Sequence, residues 1–386
     1  MHKKRKVLFV GPLPPPYSGP ELSMKQLSES PILNESFSIN FLKTNFRKDN
    51  TKKGKLGASM ILNFFSFFYK LLYRLLVFKP DVVYYPITPT QIGWLGRDVL
   101  TILISRLFGA KVVIHLRGSH FKLNFKSFHP AAKKLIGYAL SKVDVGIVQA
   151  NYLRDEFEPF LSSEKTFTLY QSIIPEEFPN EDIFNFNRGK ILVVGHLTKA
   201  KGYTDIVDII PSIAEKFPFV RFEFAGNMRK GERGVFYNQF DGTPIDYEDP
   251  FVAEREIING KYAKNYSNLG IIDGEVKLKH FQNSDLFISA SYSEGFSRSL
   301  LEAMTCGKPL IYTPVGAHRE VLDDGLNGVC VPPGNKKELE AAISSLLANK
   351  ELRNSMAQTN FKVSREKFSI DRIAKDFTEI LNSTLN

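Results

Sequence analysis

Two glutamates, Glu294 and Glu302, stand eight positions apart in SEGFSRSLLEAM, residues 293–304. Paired carboxylates can serve as acid and base, as two grips on a ligand, or as helix caps. A hydrolytic pair flanks one scissile bond at about 5–9.5 Å. Eight residues of mostly helical chain, at about 1.5 Å each, spread the two groups along a longer ligand, which favours the grips. Ser299-x-x-Glu302 also has the spacing of a capping box, which would give Glu302 a structural role. Glu294 precedes the helix, where no capping rule requires it. The amides of Gly295, Phe296 and Ser297, at the helix start, suit phosphate oxygens. A second candidate is GHLTKAKG, residues 195–202, which sets Lys201 between glycines at another helix start. A lysine beside free amides fits a diphosphate, although a solvated lysine at a turn has the same pattern. The chain has neither G-x-x-x-x-G-K-[ST] nor G-x-G-x-x-G, so neither an ATPase nor a dehydrogenase is supported.

The elements around these residues alternate. Short β-rich runs are expected at 6–10, 81–85, 111–115 and 143–148, and again at 190–194, 220–225, 285–290 and 309–313. Helical patterns fall between them, near 20–30, 57–78, 90–108 and 130–141, then near 203–216, 276–283, 299–306, 336–348 and 368–382. Alternation of this kind predicts parallel α/β architecture. At 386 residues the chain is long enough for two domains. The polar stretch 173–189, with two prolines and no periodicity, is the expected linker. Open parallel sheets bind ligands beyond the carboxyl ends of their strands. The loops GPLPPPYSGP, LRGSHF, GHLTKAKG, GNMRKGERG and SYSEGFS all occupy such positions, and two domains pointing these ends at each other would gather them in one cleft.

Apolar residues make up 43% and charged residues 24% of the chain, a globular composition. Cys306 and Cys330 are too few for a disulfide framework, which points to a reducing cytosol. The apolar run Val7–Val10 is shorter than a secretory leader needs. The net charge is +10, and residues 1–80, with 14 Lys/Arg against 4 Asp/Glu, hold the whole surplus. An anionic partner of that segment is expected. Within ILNFFSFFYKLLYRLLVF (61–78), Asn63, Ser66, Lys70 and Arg74 share one helical stripe, with apolar residues over the rest. Residues 43–78 therefore fit a helix lying on an anionic membrane surface behind a cationic run. They equally fit an ordinary domain helix packed on a sheet. The charged part lacks interleaved aromatics, so no nucleic-acid partner is expected.

SEGFSRSLLEAMTCGKPLIYTPVGAHREVLDDGLNGVCVPPGN resembles the E-x7-E region of retaining glycosyltransferases of family 4, which have the GT-B fold. GHLTKAKG resembles that family's donor-phosphate loop, GPLPPPYSGP its first N-terminal loop, and VVIHLRGSHF its histidine-bearing loop. The resemblance implies two Rossmann-like domains facing each other across a deep cleft. Residues 1–185 would bind the acceptor and residues 186–365 the nucleotide sugar, with a last helix at 366–386 packing back on the first domain. It implies sugar transfer with retention from a nucleotide diphosphate sugar, a UDP-sugar by expectation. No metal or other cofactor is expected. Gly19 would lie by the diphosphate, Glu294 would bind sugar hydroxyls, Glu302 the ribose, Lys201 the departing diphosphate, and the amides of Gly295, Phe296 and Ser297 its oxygens. His196 stands where the family has arginine; it would bind the donor by donating a hydrogen bond when neutral, or Arg298 or Arg229 could replace that cation. The active-site histidine is His115 by its place at the strand end, with Arg117 and His120 as alternatives. Residues 227–268 form a longer excursion than the family has, either a lid over the site or a surface insertion. The acceptor is expected to be a glycan or a lipid-linked carrier in cell-surface polysaccharide assembly, at the inner face of the membrane. A nucleotide-sugar epimerase or hydrolase of the same fold is the nearest alternative, and a non-catalytic basic nucleic-acid-binding protein a more distant one.

Overall fold

The computed structural model describes residues 4–15, 19–44, 58–179, 184, 186, 188–228 and 237–385. The chain divides into two compact units, Met1–Ser172 with Ile370–Asn386, and Ile173–Ser369. The cationic run with Lys52, Lys53 and Lys55, and Arg229 in the long excursion, lie outside the described residues.

The first unit runs β1 (Arg5–Gly11), α1 (Gly19–Glu29), α2 (Pro31–Ser36), β2 (Phe37–Lys43), α3 (Ala58–Val77), β3 (Val82–Pro86), α4 (Gln91–Gly93), α5 (Val99–Leu107), β4 (Lys111–His115), α6 (Phe121–Ser127), α7 (Pro130–Leu140), β5 (Val145–Val148) and β6 (Thr166–Thr168). Its six strands are all parallel, in the order β2-β1-β3-β4-β5-β6. From β2 onward the crossovers step in one direction. Right-handed connections therefore place α3, α4–α5 and α6–α7 on one face, and α1 and α2, which connect the opposite step, on the other.

The second unit runs β7 (Lys190–Val194), α8 (Tyr203–Lys216), β8 (Arg221–Ala225), α9 (Pro250–Ile258), β9 (Tyr266–Gly270), α10 (Gly274–Asn283), β10 (Leu286–Ser289), α11 (Arg298–Thr305), β11 (Leu310–Tyr312), α12 (His318–Val321), β12 (Gly328–Cys330), α13 (Lys336–Ala348) and α14 (Lys350–Phe368). Its sheet is parallel too, in the order β12-β11-β10-β7-β8-β9. The last helix, α15 (Ile370–Leu385), returns to the first unit. There Ile373, Phe377 and Leu381 close a core with Phe9, Met24 and Tyr84.

The sequence put the domain changes at 185 and 365; the structure puts them at 172 and 369. The reason is hydrogen bonding. Ile173 N donates to Phe368 O, and Arg365 Nη2 donates to Phe178 O, so the start of the supposed linker is fastened to the second unit. Eight strands fall where expected. β2, β6, β9 and β12 were not foreseen, and these are the four edge strands of the two sheets.

Candidate active site of the second unit

In the second sheet, β7 is followed in space by β8 and β9 on one side and by β10, β11 and β12 on the other. The crevice where a parallel sheet reverses its strand order is its natural ligand site. The loops leaving β7 and β10 meet there. Lys201, after β7, donates from Nζ to Oε1 of Glu294, after β10, at 2.6 Å across 93 residues of sequence. Ser291 Oγ donates to the same oxygen at 2.8 Å. Burial works against ionisation of Glu294, but the Lys201 ammonium and these two hydrogen bonds together hold its carboxyl below the ordinary range.

The turn carrying Glu294 is braced from three sides. Tyr292 N donates to Ala200 O at 3.0 Å, joining the two loops directly. Gly316, after β11, has φ +55, and a Cβ there would sit 2.3 Å from Gly295 O and 2.7 Å from Glu294 O. Only glycine accepts both that backbone and that approach. The third brace is Gln239. Its Oε1 accepts from Glu294 N and from Gly316 N, and its Nε2 donates to Glu294 O, each at 3.0 Å. Gln239 belongs to the excursion at 227–268, so the described part of that segment is neither a detached insertion nor a mere cover but part of the frame of the site. Glu248 from the same excursion accepts from Lys199 Nζ at 2.9 Å, beside Asp205 at 2.7 Å.

The capping box expected at Ser299 is not formed. The cap of α11 is Ser297, whose Oγ accepts from Leu300 N at 3.4 Å. Ser299 lies inside the first turn, and its Oγ donates to Val194 O at 2.8 Å, fixing the helix start to the end of β7. Glu302 is thereby released from capping. It is 2% exposed, and its Oε1 accepts from Lys277 Nζ at 2.8 Å and Arg298 Nε at 3.2 Å. Each glutamate thus has its own cations. Arg298 is consumed here rather than replacing the missing arginine at position 196.

Phe296 turns its ring into the core against Phe368, centroids 5.2 Å apart, leaving its backbone as the part at the helix start. The first amides of α11, including those around Ser297, lack intrahelical acceptors by construction. His196 is exposed in the loop after β7. Sequence reasoning also missed His318, which is fully buried. Burial pushes its pKa down to about 4, so the ring is neutral. Its Nδ1 lies 3.2 Å from Thr313 O and must carry the proton to donate there. Nothing in the sequence marked His318 or Gln239, because each matters only through a distant segment.

In the first unit, Gly19 opens α1, and its carbonyl accepts from Ser23 Oγ at 2.8 Å. His115 is the last residue of β4 and is 2% exposed. Its Nδ1 lies 2.7 Å from Tyr84 Oη. Arg117 Nη2 donates to the same hydroxyl at 3.2 Å. Burial and the Arg117 charge keep the imidazole neutral. Its Nε2 and Arg117 Nε are both buried without a partner, and the two residues border a small pocket of mixed lining that includes Ser23, Gln149 and Gln171 beside Leu27, Leu169 and Ile373. His120 is built differently. It has φ +65, and its N donates to Glu156 Oε1 at 2.8 Å. His120 and Lys122 share the Glu156 carboxylate, so this histidine secures a turn. Among the described residues no cluster of His, Cys, Asp and Glu could hold a metal ion.

Residues 176–363 match the family model of glycosyl transferases group 1, which spans nearly the whole second unit. The second unit matches a group 1 glycosyl transferase domain, and the chain has the fold of GT-B glycosyltransferases. It is 24% identical to an uncharacterized glycosyltransferase of Methanocaldococcus jannaschii, MJ1069, over all of both chains. It is 35% identical to the N,N'-diacetylbacillosaminyl-diphospho-undecaprenol alpha-1,3-N-acetylgalactosaminyltransferase of Campylobacter jejuni, over 29% of this chain and 28% of that one. In structure it resembles Anabaena Alr3699/HepE, crystallised in complex with UDP, with a TM-score of 0.70 at 16% identity, covering 98% of this chain and 100% of that one.

Proposed function

We propose that the protein transfers a sugar, with retention and without a metal, from a UDP-sugar to a lipid-linked or glycan acceptor in cell-surface polysaccharide assembly. The observation that carries this reading is the Lys201–Glu294 pair at the start of α11, on the two loops that flank the strand-order reversal. Glu294, held ionised, accepts hydrogen bonds from hydroxyls of the sugar. Glu302, on the second turn of α11, accepts from the ribose. Lys201 and the amides of Gly295, Phe296 and Ser297 neutralise the diphosphate as it departs, which is the charge the reaction must stabilise. The acceptor hydroxyl attacks the anomeric carbon on the face the diphosphate leaves. Its proton passes to a leaving phosphate oxygen, so no protein nucleophile is needed. UDP is favoured as the carrier by the similar fold crystallised with UDP, and a polyprenyl-diphosphate acceptor by the name of the Campylobacter relative.

The test is a thermal-shift screen of nucleotides and nucleotide sugars, followed by NMR of the anomeric proton in the product made on a diphospho-polyprenol glycan. Stabilisation by UDP and an axial product linkage from an axial donor are expected. Stabilisation only by another nucleotide, inversion at the anomeric carbon, or turnover to an epimer or free sugar without acceptor would overturn the respective parts.

A further inference from the structure

Among the described residues of the first unit, large exposed apolar side chains are confined to one layer. α3 buries Phe67, Phe68, Leu71 and Leu75 against the sheet. Its outer side carries Leu62, Phe65, Tyr69, Tyr73 and Leu76, of which Tyr69 is 72% exposed. The same helical layer continues with exposed Ile92 and Leu95 beside α4, Leu107 at the end of α5, and Leu135 and Tyr138 on α7. The opposite layer, α1, α2 and α15, has no exposed large apolar side chain among the described residues. A monomer seldom leaves so much contiguous apolar area in water without a partner.

The charges of this layer select the partner. Residues 58–79, 87–110 and 121–142 contain ten Lys and Arg and a single carboxylate, Asp98. Asp98 is fully buried and taken by Arg97 and Thr88. The carboxylates adjoining the layer, Asp155, Glu158 and Asp144, are engaged by Lys122, Arg106 and Lys111. On α3 itself, Lys70 and Arg74 border the apolar strip on one side. An exposed face split into an apolar strip and a cationic strip is the geometry of a helix resting in a lipid headgroup region. No helix among the described residues is long and apolar enough to cross a membrane.

We propose that the outer face of α3, α4–α5 and α7 docks on an anionic lipid bilayer, with Phe65, Tyr69, Tyr73 and Leu76 entering the headgroup boundary and Lys70, Arg74 and Lys134 meeting lipid phosphates. This deepens the lipid-linked acceptor proposed above but rests on other residues, none of them in the second unit. The cations supply attraction that depends on lipid charge and salt, and the apolar strip supplies attraction that does not.

The experiment is flotation of the full chain with vesicles of phosphatidylcholine alone and of phosphatidylcholine with phosphatidylglycerol. Two variants are compared, Phe65→Ser/Tyr69→Ser/Leu76→Ser and Lys70→Glu/Arg74→Glu, with Phe219→Ser in the second unit as control. All positions are exposed except the half-buried Arg74, and UDP-induced thermal stabilisation verifies the fold. The wild type and the control should float with the anionic vesicles. The apolar variant should lose at least about 10-fold in partitioning, and the charge variant should lose binding to anionic vesicles selectively. Wild-type protein left in solution with anionic vesicles overturns the proposal, as does flotation unchanged in both variants. A wild-type dimer that the apolar variant dissociates, with no flotation, overturns it in favour of a second copy. Flotation without UDP stabilisation would remove the donor reading and leave this surface standing.

Discussion

Replacing Lys201 with Met tests the site most directly. The substitution keeps most of the unbranched side chain and removes the charge 2.6 Å from Glu294. At an effective dielectric of about 20, unit charges at that range attract by about 6 kcal/mol. The net effect is smaller, because the Lys201 side chain is 31% exposed against 13% for Glu294 and water screens part of the attraction. Leaving Glu294 half-desolvated without its cation should cost about 1–3 kcal/mol. In a unit of this size that lowers the melting temperature by about 3–10 °C. The effect has a sign in pH. A carboxyl with a depressed folded pKa contributes stability above its unfolded pKa and loses it as pH falls through the folded value. The deficit of the variant should therefore be full at neutral pH and close on acidification below about pH 4. Scanning calorimetry at several pH values measures it, with turnover falling by about 100-fold or more because the departing diphosphate loses a cation. Equal melting temperatures at neutral pH, or a deficit that does not close in acid, would refute the account of Glu294 as an ionised group held by Lys201.

Three further outcomes follow from the same geometry. Gly316→Ala should destabilise the second unit by about 1–3 kcal/mol and weaken UDP binding, since its Cβ would displace the carbonyls of Glu294 and Gly295; unaltered binding by calorimetry would show that the brace is not needed. Tyr84→Phe should cost about 1–3 kcal/mol and lower turnover more than it alters UDP affinity, because it frees both His115 and Arg117; unchanged kinetics would remove the positioning role. His318, buried and held near 4, must be neutral to fold, so the unfolded chain takes up its proton first as pH falls below about 6.5. Stability should decline from there to about pH 4, and the part abolished in His318→Leu is this residue's share.

Glu294, Glu302, Lys201 and the strands that present them were legible because each carries a local signature. A central parallel strand is buried on both faces and reads as an unbroken apolar run. That is why KVLFV, KVVIH and KILVV could be located from composition alone. The four edge strands, such as TFT in β6 and GVC in β12, are short and covered less completely, so their residues look like loop. The helix α14 was missed for a related reason, since its polar residues give it little apolar periodicity.

Sequence alone determined two parallel α/β units, the loops at their strand ends and the place of the excess charge, all of which follow from periods of two to four residues and from counting. Tertiary structure decided which serine caps α11, because the Ser299 hydroxyl finds Val194 O, 105 positions away, and leaves the cap to Ser297. It decided that Gln239 frames the site and that His115 lies beneath Arg117. It also decided which of the apolar sides of α3 faces the sheet and which is left outward. Hydrogen bonds and burial between segments far apart in the chain have no period for a sequence to display, so these assignments exist only once the chain has folded.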